Sequence, residues 1–511
     1  MSYPEFFNDV FGPVMQPGSS SHTAGPCRLG YLAASLLGER PVHARIILDQ
    51  NGSFAGTFGV MAEDRGMLAG LLGMLPDDER LFDTPRIAAE RGLRYAFEFG
   101  ELAESRHPNA VKFELTGVSG RTATLVGDST GGGMVETRTV NGRELRLRGD
   151  AHCALIFKPD GSLECQESTE APDLVKLVAR HPGCDVRLLH PVLPVLRRPE
   201  QKPQLFDTMT RWRAIAGQAG LPIWEVAVQY EMDASGWTRE EVIAYMRRIE
   251  RVMHRQTHAA YEENRPVIAT AFRPDMAADW ARHAGSGRSL TDGITHATLK
   301  WAYGAGAGLP GVPGVAGPMG SGGGYIHAAL WAVKEALGFS DDDLLRGLFV
   351  AAGIGAIAYT RTEPTGEVLG CTGECGVCGA MAAAAICEMA GGEPEAVENA
   401  ASLSLQAQIG MPCDPIPGGC GQPCRSRIIS AACMAHVFAD LALAGRDAVL
   451  PLHEAIDVAD QVGRSLPAGL LCTGKAGAPQ APSGRKRALA FAEWFSETEK
   501  DGTVRPPGNL I

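Results

Sequence analysis

Hydrophobic and polar positions change period twice along the chain. Strand-like runs of β-branched and aromatic residues at 42–48, 94–99, 111–115 and 122–126 are separated by Gly, Asn or Asp turn signals. A helix is predicted around 28–37, opened by the Ser/Gly loop 18–23. A further strand at 152–157 begins a stretch to residue 196 that reads as a small strand–helix–strand unit, and 197–204, rich in Arg, Pro and Lys, reads as a solvated linker. Beyond it the period becomes helical. Residues 205–219, 238–255 and 341–359 carry apolar side chains three and four apart, 379–389 is almost wholly Ala and other small or apolar residues, and 395–408 and 425–443 continue the pattern. Helices apolar on most faces belong in the middle of a helical domain. The Gly-rich stretch 304–324, interleaved with Val, Leu and Tyr, reads as a structured loop lining a pocket. The pattern predicts an α+β domain over 1–150, an extra segment and linker over 151–204 that is a candidate small regulatory unit, and a mainly α-helical domain over 205–511.

Composition narrows the function. At about 150 residues per domain, 511 residues allow about three domains. Lys and Arg number 47 against 59 Asp and Glu, a net charge of −12, which argues against a nucleic-acid partner because phosphate binding needs a basic surface. With 45% hydrophobic and 21% charged residues the chain can fill a core. No continuous apolar run reaches the ~18 residues of a membrane helix, and the first residues carry neither a basic start nor an apolar signal core. A cytoplasmic protein without a membrane partner is expected.

The thirteen cysteines carry the chemistry, and eight of them lie between 371 and 433. Without an export signal, metal or redox chemistry is the stronger reading than a disulfide framework. Cys371, Cys375 and Cys378 have the C-x3-C-x2-C spacing of a radical S-adenosylmethionine loop, but that chemistry needs a βα barrel of ~200 or more residues after the loop, and helices follow here. The second group, Cys413-Asp-Pro-Ile-Pro-Gly-Gly-Cys420-Gly-Gln-Pro-Cys424, is a stiff turn on which thiolates can converge. A structural zinc tetrahedron or a closed electron-transfer cluster remains the non-catalytic alternative, although the paired C-x2-C hooks of zinc ribbons are missing. Cys387 and Cys433 lie on apolar helix faces and read as packing residues.

Cys371-Thr-Gly-Glu374-Cys-Gly, followed by the Ala-rich helix, resembles the Gly-Cys-Gln-(Ala/Gly)-Glu-x-Gly segment of iron–sulfur L-serine dehydratases. Cys413, Asp414, Pro415, Gly418, Pro423, Cys424 and Arg427 match that family's Cys-Asp-Pro-x-x-Gly-x-x-x-x-Pro-Cys-x-x-Arg motif in type and spacing. Ser19-Ser20-Ser21-His22-Thr23-Ala24-Gly25-Pro26 is similar to the family's β-domain motif, as are His107-Pro108-Asn109 and the glycines 131–133. The resemblance is to a fused β–α form and implies a 4Fe–4S cluster held by Cys371, Cys413 and Cys424, with Cys472 as a displaceable fourth ligand. It further implies His22 and His107 as catalytic residues, and Ser19, Ser20, Ser21, Thr23, Asn109, Gly320 and Ser321 as substrate-binding residues. The implied activity is an ammonia-lyase turning L-serine into pyruvate and ammonia, in a homodimer.

That chemistry has two difficulties, a weakly acidic Cα–H and hydroxide as leaving group. A cluster with one open iron supplies a Lewis acid for the hydroxyl, and a base must take the α-proton. His22 is the best candidate because imidazole titrates near neutrality. The alternative reading makes the serines a helix cap and His22 an ordinary polar residue. Three departures from the family pattern fall at Met61-Ala-Glu-Asp-Arg-Gly66, Gly317-Pro318-Met319 and Arg361-Thr-Glu-Pro-Thr-Gly366. They leave open another hydroxy or amino acid as the substrate of a cluster-dependent β-elimination. Arg361 reads either as a partner for an extra substrate acid group or as an exposed structural residue.

Overall fold

The computed structural model describes residues 3–59, 61–198, 200, 202–263, 272 and 274–500. The chain divides into two compact units, one of residues 18–201 and one of the residues up to 17 together with those from 202 onward. An α+β arrangement thus precedes a mainly helical one, as the pattern predicts. The first strand, β1 (Val14–Met15), belongs to the helical unit.

In the 18–201 unit, α1 (Gly25–Leu37) starts with Pro26 in its first turn and stops at Gly38, whose φ of 74° suits glycine. Strand β2 (Pro41–Asp49) leads through α2 (Ser53–Thr57), α3 (Glu63–Leu71) and α4 (Thr84–Glu90) to β3 (Arg94–Gly100), which lies parallel to it. The crossover supplies the helices that a parallel pair requires. The chain then runs antiparallel through β4 (Ala110–Gly117), β5 (Thr122–Gly131), β6 (Met134–Val140) and β7 (Arg143–Glu144), giving the order β3-β2-β4-β5-β6-β7. Alternation turns Ala44, Ile46 and Leu48 into the core, while Arg45 on the other face bridges Glu98 and Glu114 at 2.8 and 2.9 Å.

The stretch predicted as strand–helix–strand is a hairpin, β8 (His152–Phe157) with β9 (Leu163–Ser168), then α5 (Leu174–Arg180) and β10 (Asp185–Leu189), in the order β10-β8-β9. Cys153, Leu155 and Leu189 pack into the same core as Leu32 and Leu36 of α1. Arg187 donates to the carbonyls of Thr122 (2.7 Å) and Leu36 (3.3 Å), tying the two sheets together.

The helical unit comprises α6 (Met209–Ala219), α7 (Ile223–Ser235), α8 (Arg239–Glu262), α9 (Met276–Gly285), α10 (Gly293–Ala307), β11 (Gly314–Val315), α11 (Gly322–Leu337), α12 (Asp341–Arg361), α13 (Gly366–Leu369), α14 (Val377–Met389), α15 (Pro394–Gln406), α16 (Cys424–Leu443), α17 (Leu452–Ser465) and α18 (Pro482–Lys500). Reciprocal capping boxes start α8 (Thr238 with Glu241) and α12 (Ser340 with Asp343). The Ala-rich α14 is central, buried on every face and packed against α11, α12, α15 and α16. Residues near the N-terminus strap onto this unit: β1 pairs with β11, and Phe6 stacks on Tyr230 at 5.0 Å.

The Gly-rich stretch is a loop only between residues 308 and 321; its flanks are helical. A Cβ at Gly304 would sit 1.9 Å from the Thr257 carbonyl oxygen, and one at Gly322 1.7 Å from that of Gly317. These glycines serve close helix packing. Helices α12 and α16 are long and apolar enough to cross a membrane by length and composition, and 78% of the apolar window of α12 is buried within the protein, against 33% for α16.

Candidate functional site

Three segments of the helical unit bring thiols together. Cys371 precedes a π-helical turn, Thr372–Gly376, that leads into α14; Cys413 lies in the loop after α15; Cys424 is the first residue of α16. All three are buried, and their sulfurs lie within 4.8 Å of one another, with Cys371 and Cys424 3.2 Å apart. The Thr372 hydroxyl accepts the amides of Gly410 and Met411, each at 3.0 Å, and donates to Gln408 O, which fixes the first segment on the second. Gly370 permits the approach: at φ 64°, a Cβ there would lie 2.3 Å from Met411 O. The amide of Cys413 donates to Leu470 O (2.9 Å) and that of Cys472 to Cys413 O (2.8 Å), so the segment bearing Cys472 runs beside Cys413 and the two thiols interact.

The donor set suits a metal centre. Hydrogen bonds from Cys375, Cys413 and Cys424, with Arg427, hold the Cys371 thiol well below its usual range, and the thiols of Cys375, Cys413 and Cys424 are pushed up beside it. The negative charge in this buried group settles toward Cys371; a bound cation would displace the thiol protons, because metal-bound thiols are deprotonated. Arg427 donates to Cys371 Sγ (3.4 Å) and to Asp414 Oδ1 (2.8 Å), placing a fixed positive charge beside the sulfurs. Burial, then the Cys371 charge, raises the Glu374 carboxyl well above the usual range. A Cβ on Gly366 would sit 2.8 Å from Cys413 Sγ, so glycine leaves room at the thiols.

In the 18–201 unit, Ser19 caps a second π-helical turn, Ser20–Ala24, that feeds α1. Its hydroxyl accepts the His22 amide at 3.2 Å. The His22 ring is 1% exposed and held at both nitrogens, Nδ1 by the Ser21 hydroxyl (2.8 Å) and Nε2 by the Ser53 hydroxyl (2.9 Å). Hydroxyls can donate or accept, so the ring keeps partners in either tautomer. Thr23 donates to Met61 O, and Ser129 on β5 donates to Ser21 O at 2.7 Å. Asn109 joins from the turn before β4: its carbonyl accepts the Ser129 amide at 3.1 Å. Behind the turn α3 packs so closely that a Cβ on Gly66 would lie 2.3 Å from Thr23 O.

Known proteins match both parts of the chain. Residues 218–478 match the family model described as serine dehydratase alpha chain. The chain is similar to a probable L-serine dehydratase alpha chain of Bacillus subtilis, with 31% identity over 287 residues covering 55% of this chain and 94% of that one. The chain belongs to the L-serine dehydratase family. It is also similar to an L-serine dehydratase beta chain of Peptoniphilus asaccharolyticus, 34% identical over 152 residues, 30% of this chain and 68% of that one. A single-chain L-serine dehydratase of Mycobacterium tuberculosis is 27% identical over 466 residues, 86% of this chain and 89% of that one. Family members are carbon–oxygen lyases, and this chain carries the fused form of the two chains.

Within this serine dehydratase family member, the predicted residues fall into three groups. Ser19, Ser20, Ser21, His22, Thr23 and Asn109 come together around one turn. His107 lies in the turn before β4, where its Nδ1 accepts the Asn109 amide at 3.1 Å, which puts the proton of the neutral ring on Nε2. Gly320 and Ser321 end the loop before α11, which Cys378 ties to the cysteine helix through a thiol donating to Gly317 O at 2.6 Å. Arg361 forks onto Asp457 of α17, Nε to Oδ1 at 2.8 Å, which makes it a structural residue. The altered 61–66 segment starts α3: Glu63 is fully buried, takes the Thr57 hydroxyl and the Gly59 amide, and is pushed well up in pKa by that burial. Ser53 and Ser129 were not legible in the sequence, where each is a lone serine without a spacing signal.

Proposed function

We propose that the chain converts L-serine to pyruvate and ammonia, with Cys371, Cys413 and Cys424 holding a 4Fe–4S cluster and Cys472 as a displaceable ligand. The observation that carries this reading is the convergence of three buried thiols, beside an arginine, at the motif positions of a serine dehydratase family member. When bound, the cluster supplies a Lewis acid for the leaving hydroxyl. The protein's own side chains do the rest. His22 takes the α-proton, held by the hydroxyls of Ser21 and Ser53 so that the ring is oriented before substrate arrives. The hydroxyls of Ser19 to Ser21, at the start of a helix, suit a substrate carboxylate. Loss of the α-proton and the β-hydroxyl releases water and leaves an enamine. Its tautomer, an imine, hydrolyses to pyruvate and ammonia.

A second reading keeps the reaction type and changes the acid. It is favoured by Glu63, a buried carboxyl pushed up in pKa by that burial, in the segment that departs from the family pattern.

Anaerobically purified protein tests both. Iron and sulfide should be present, and serine should yield pyruvate and ammonia. Cys413→Ser and Cys424→Ser should lose iron and turnover together, whereas His22→Ala should keep its iron and lose turnover by ~100-fold or more. Full iron loading in both cysteine variants overturns the ligand assignment, and near-normal activity in His22→Ala overturns the base. A dehydratase product from another hydroxy acid, with none from serine, selects the second reading.

A further inference from the structure

A second cluster of metal-ligating side chains lies elsewhere in the helical unit. Glu250 and His254 stand one turn apart on α8, and His327 comes from the facing α11. One donor atom from each lies within 4.8 Å of the others. His327 is fully buried, whereas Glu250 and His254 are partly exposed. An ion could enter from the side of those two residues.

The hydrogen bonds around His327 set its electronics. The Thr257 hydroxyl lies among the carbonyls of His254 (2.9 Å) and Met253 (3.2 Å), His258 Nδ1 (2.7 Å) and His327 Nδ1 (3.3 Å). With its proton on a carbonyl, the hydroxyl accepts from His327 Nδ1–H, and this is the tautomer that leaves Nε2 free for an ion. In the other tautomer Nε2–H donates to Glu250 Oε1 at 3.4 Å; in this one the two stand acceptor against acceptor. Such a pair is favourable with a cation between its members. His254 adds a third donor to the same space, and its Nδ1 is buried with no hydrogen-bond partner among the described residues.

The surroundings fix the rings. Trp331 stacks on His327 (5.4 Å between centroids), and His258 stacks on His254 (3.7 Å). Lys334, the nearby cation, is held by Asp341 at 3.1 Å and lies over the Trp331 ring. With Nδ1–H on the Thr257 hydroxyl, His327 has an outer-shell acceptor that orients the imidazole, a role carboxylates, carbonyls and waters play at other metal sites.

We propose that Glu250, His254 and His327 form a site for one divalent first-row transition-metal ion of the zinc class, separate from the cysteine centre. Two imidazoles and one carboxylate exclude a preference for Mg2+ or Ca2+. The ion staples α8 to α11. Gln256, on the same helix, accepts the Val315 amide and donates to Ser321 O, so the staple also steadies the loop that carries Gly320 and Ser321.

Cobalt(II) is the probe, added to the anaerobically purified full-length protein with its cysteine centre left as isolated. One equivalent should bind with ligand-field bands that lack thiolate-to-cobalt charge transfer. Zinc should displace it, and the melting temperature should rise with either ion. Glu250→Gln and His254→Ala should weaken binding at least ~100-fold, with far-ultraviolet circular dichroism unchanged. Three results overturn the site: no binding, binding seen only with thiolate charge transfer, or wild-type affinity in the variants. Glu250→Gln, at a partly exposed position, keeps the test valid if His254→Ala misfolds. Iron content and serine turnover are measured in parallel, so failure here is distinguishable from failure of the dehydratase reading.

Discussion

Replacing Arg427 by Gln separates the charge of that residue from its bulk. Its Nη1 reaches three acceptors: Pro412 O (2.5 Å), Asp414 Oδ1 (2.8 Å) and Cys371 Sγ (3.4 Å). The Asp414 side chain is 6% exposed and would keep the Ala478 amide on Oδ2 at 2.8 Å. Removing the guanidinium leaves a buried carboxylate and a buried thiolate without their counter-charge. Breaking a buried pair from one side costs about 3–5 kcal/mol, because the remaining charge stays desolvated. Arg427→Lys restores the charge without the planar fork that serves several acceptors, and should recover part of the loss. Arg464→Gln is the comparison. It breaks an exposed i,i+4 pair with Asp460, worth about 0–1 kcal/mol.

Urea unfolding of iron-free protein reads the stability of all three variants, and iron uptake on reconstitution reads the centre. The expected order of destabilisation is Gln, then Lys, then the Arg464 variant, with iron uptake lost first in Arg427→Gln. A loss below about 1 kcal/mol in Arg427→Gln, with full iron uptake, would refute the claim that this arginine balances the charges.

Gly70→Ala should destabilise the 18–201 unit by about 3 kcal/mol, because a Cβ there would lie 2.0 Å from Cys27 O and 2.4 Å from Tyr31 N. Gly217→Ala in α6, where nothing lies within 4 Å, should stabilise by up to about 1 kcal/mol, and equal effects in the two melts would contradict the packing argument. Burial raises the Glu388 carboxyl from 4.5 to about 7, so between those values the folded state holds a proton that the unfolded state releases, and stability falls as pH rises. Glu388→Gln should flatten that slope and add up to about 3 kcal/mol at pH 8; parallel wild-type and variant curves from pH 5 to 8 would exclude it. Cys472→Ala should load iron normally under anaerobic conditions, lose it faster in air and shorten any substrate-dependent lag, whereas unchanged air sensitivity and kinetics would make Cys472 a packing residue.

Strands β2 to β5 of the six-stranded sheet were legible because one face is buried and the other carries charges such as Arg45, so period two survives in the sequence, whereas β6 and β7 were not predicted. The cysteine centre was legible because Pro and Gly at fixed offsets from Cys413 and Cys424 constrain the backbone that presents them. Position-specific information runs out where the fold joins distant segments. Ser53 reaches His22 across 31 residues and Ser129 reaches Ser21 across 108, with no local pattern to announce either. Val14 pairs with Val315, so the first residues pack with the helical unit. The start of α11 misleads for another reason: Gly322, Gly323 and Gly324 have poor helix propensity, yet each is required by a neighbour that a Cβ would strike. Tertiary packing decides there, and the loop reading yields to it.

The two candidate centres share a construction that explains why small residues crowd around them. Each candidate group sits at a π-helical turn opening onto a largely buried helix: His22 in Ser20–Ala24 before α1, and Cys371 at the cap of Thr372–Gly376 before α14. A π turn spends one more residue per turn than an α-helix, which re-aims its side chains at the helix start. It holds that shape only if the following helix cannot shift. Gly30 and Gly70 lock α1 against α3 at backbone distance, and Gly347, Gly379 and the alanines of α14 lock that helix among its neighbours. Enlarging these residues would therefore move His22 or Cys371 without touching either. The small residues of these helices, of which the Ala-rich run was read from sequence as core packing, thus also set the position of the two candidate centres.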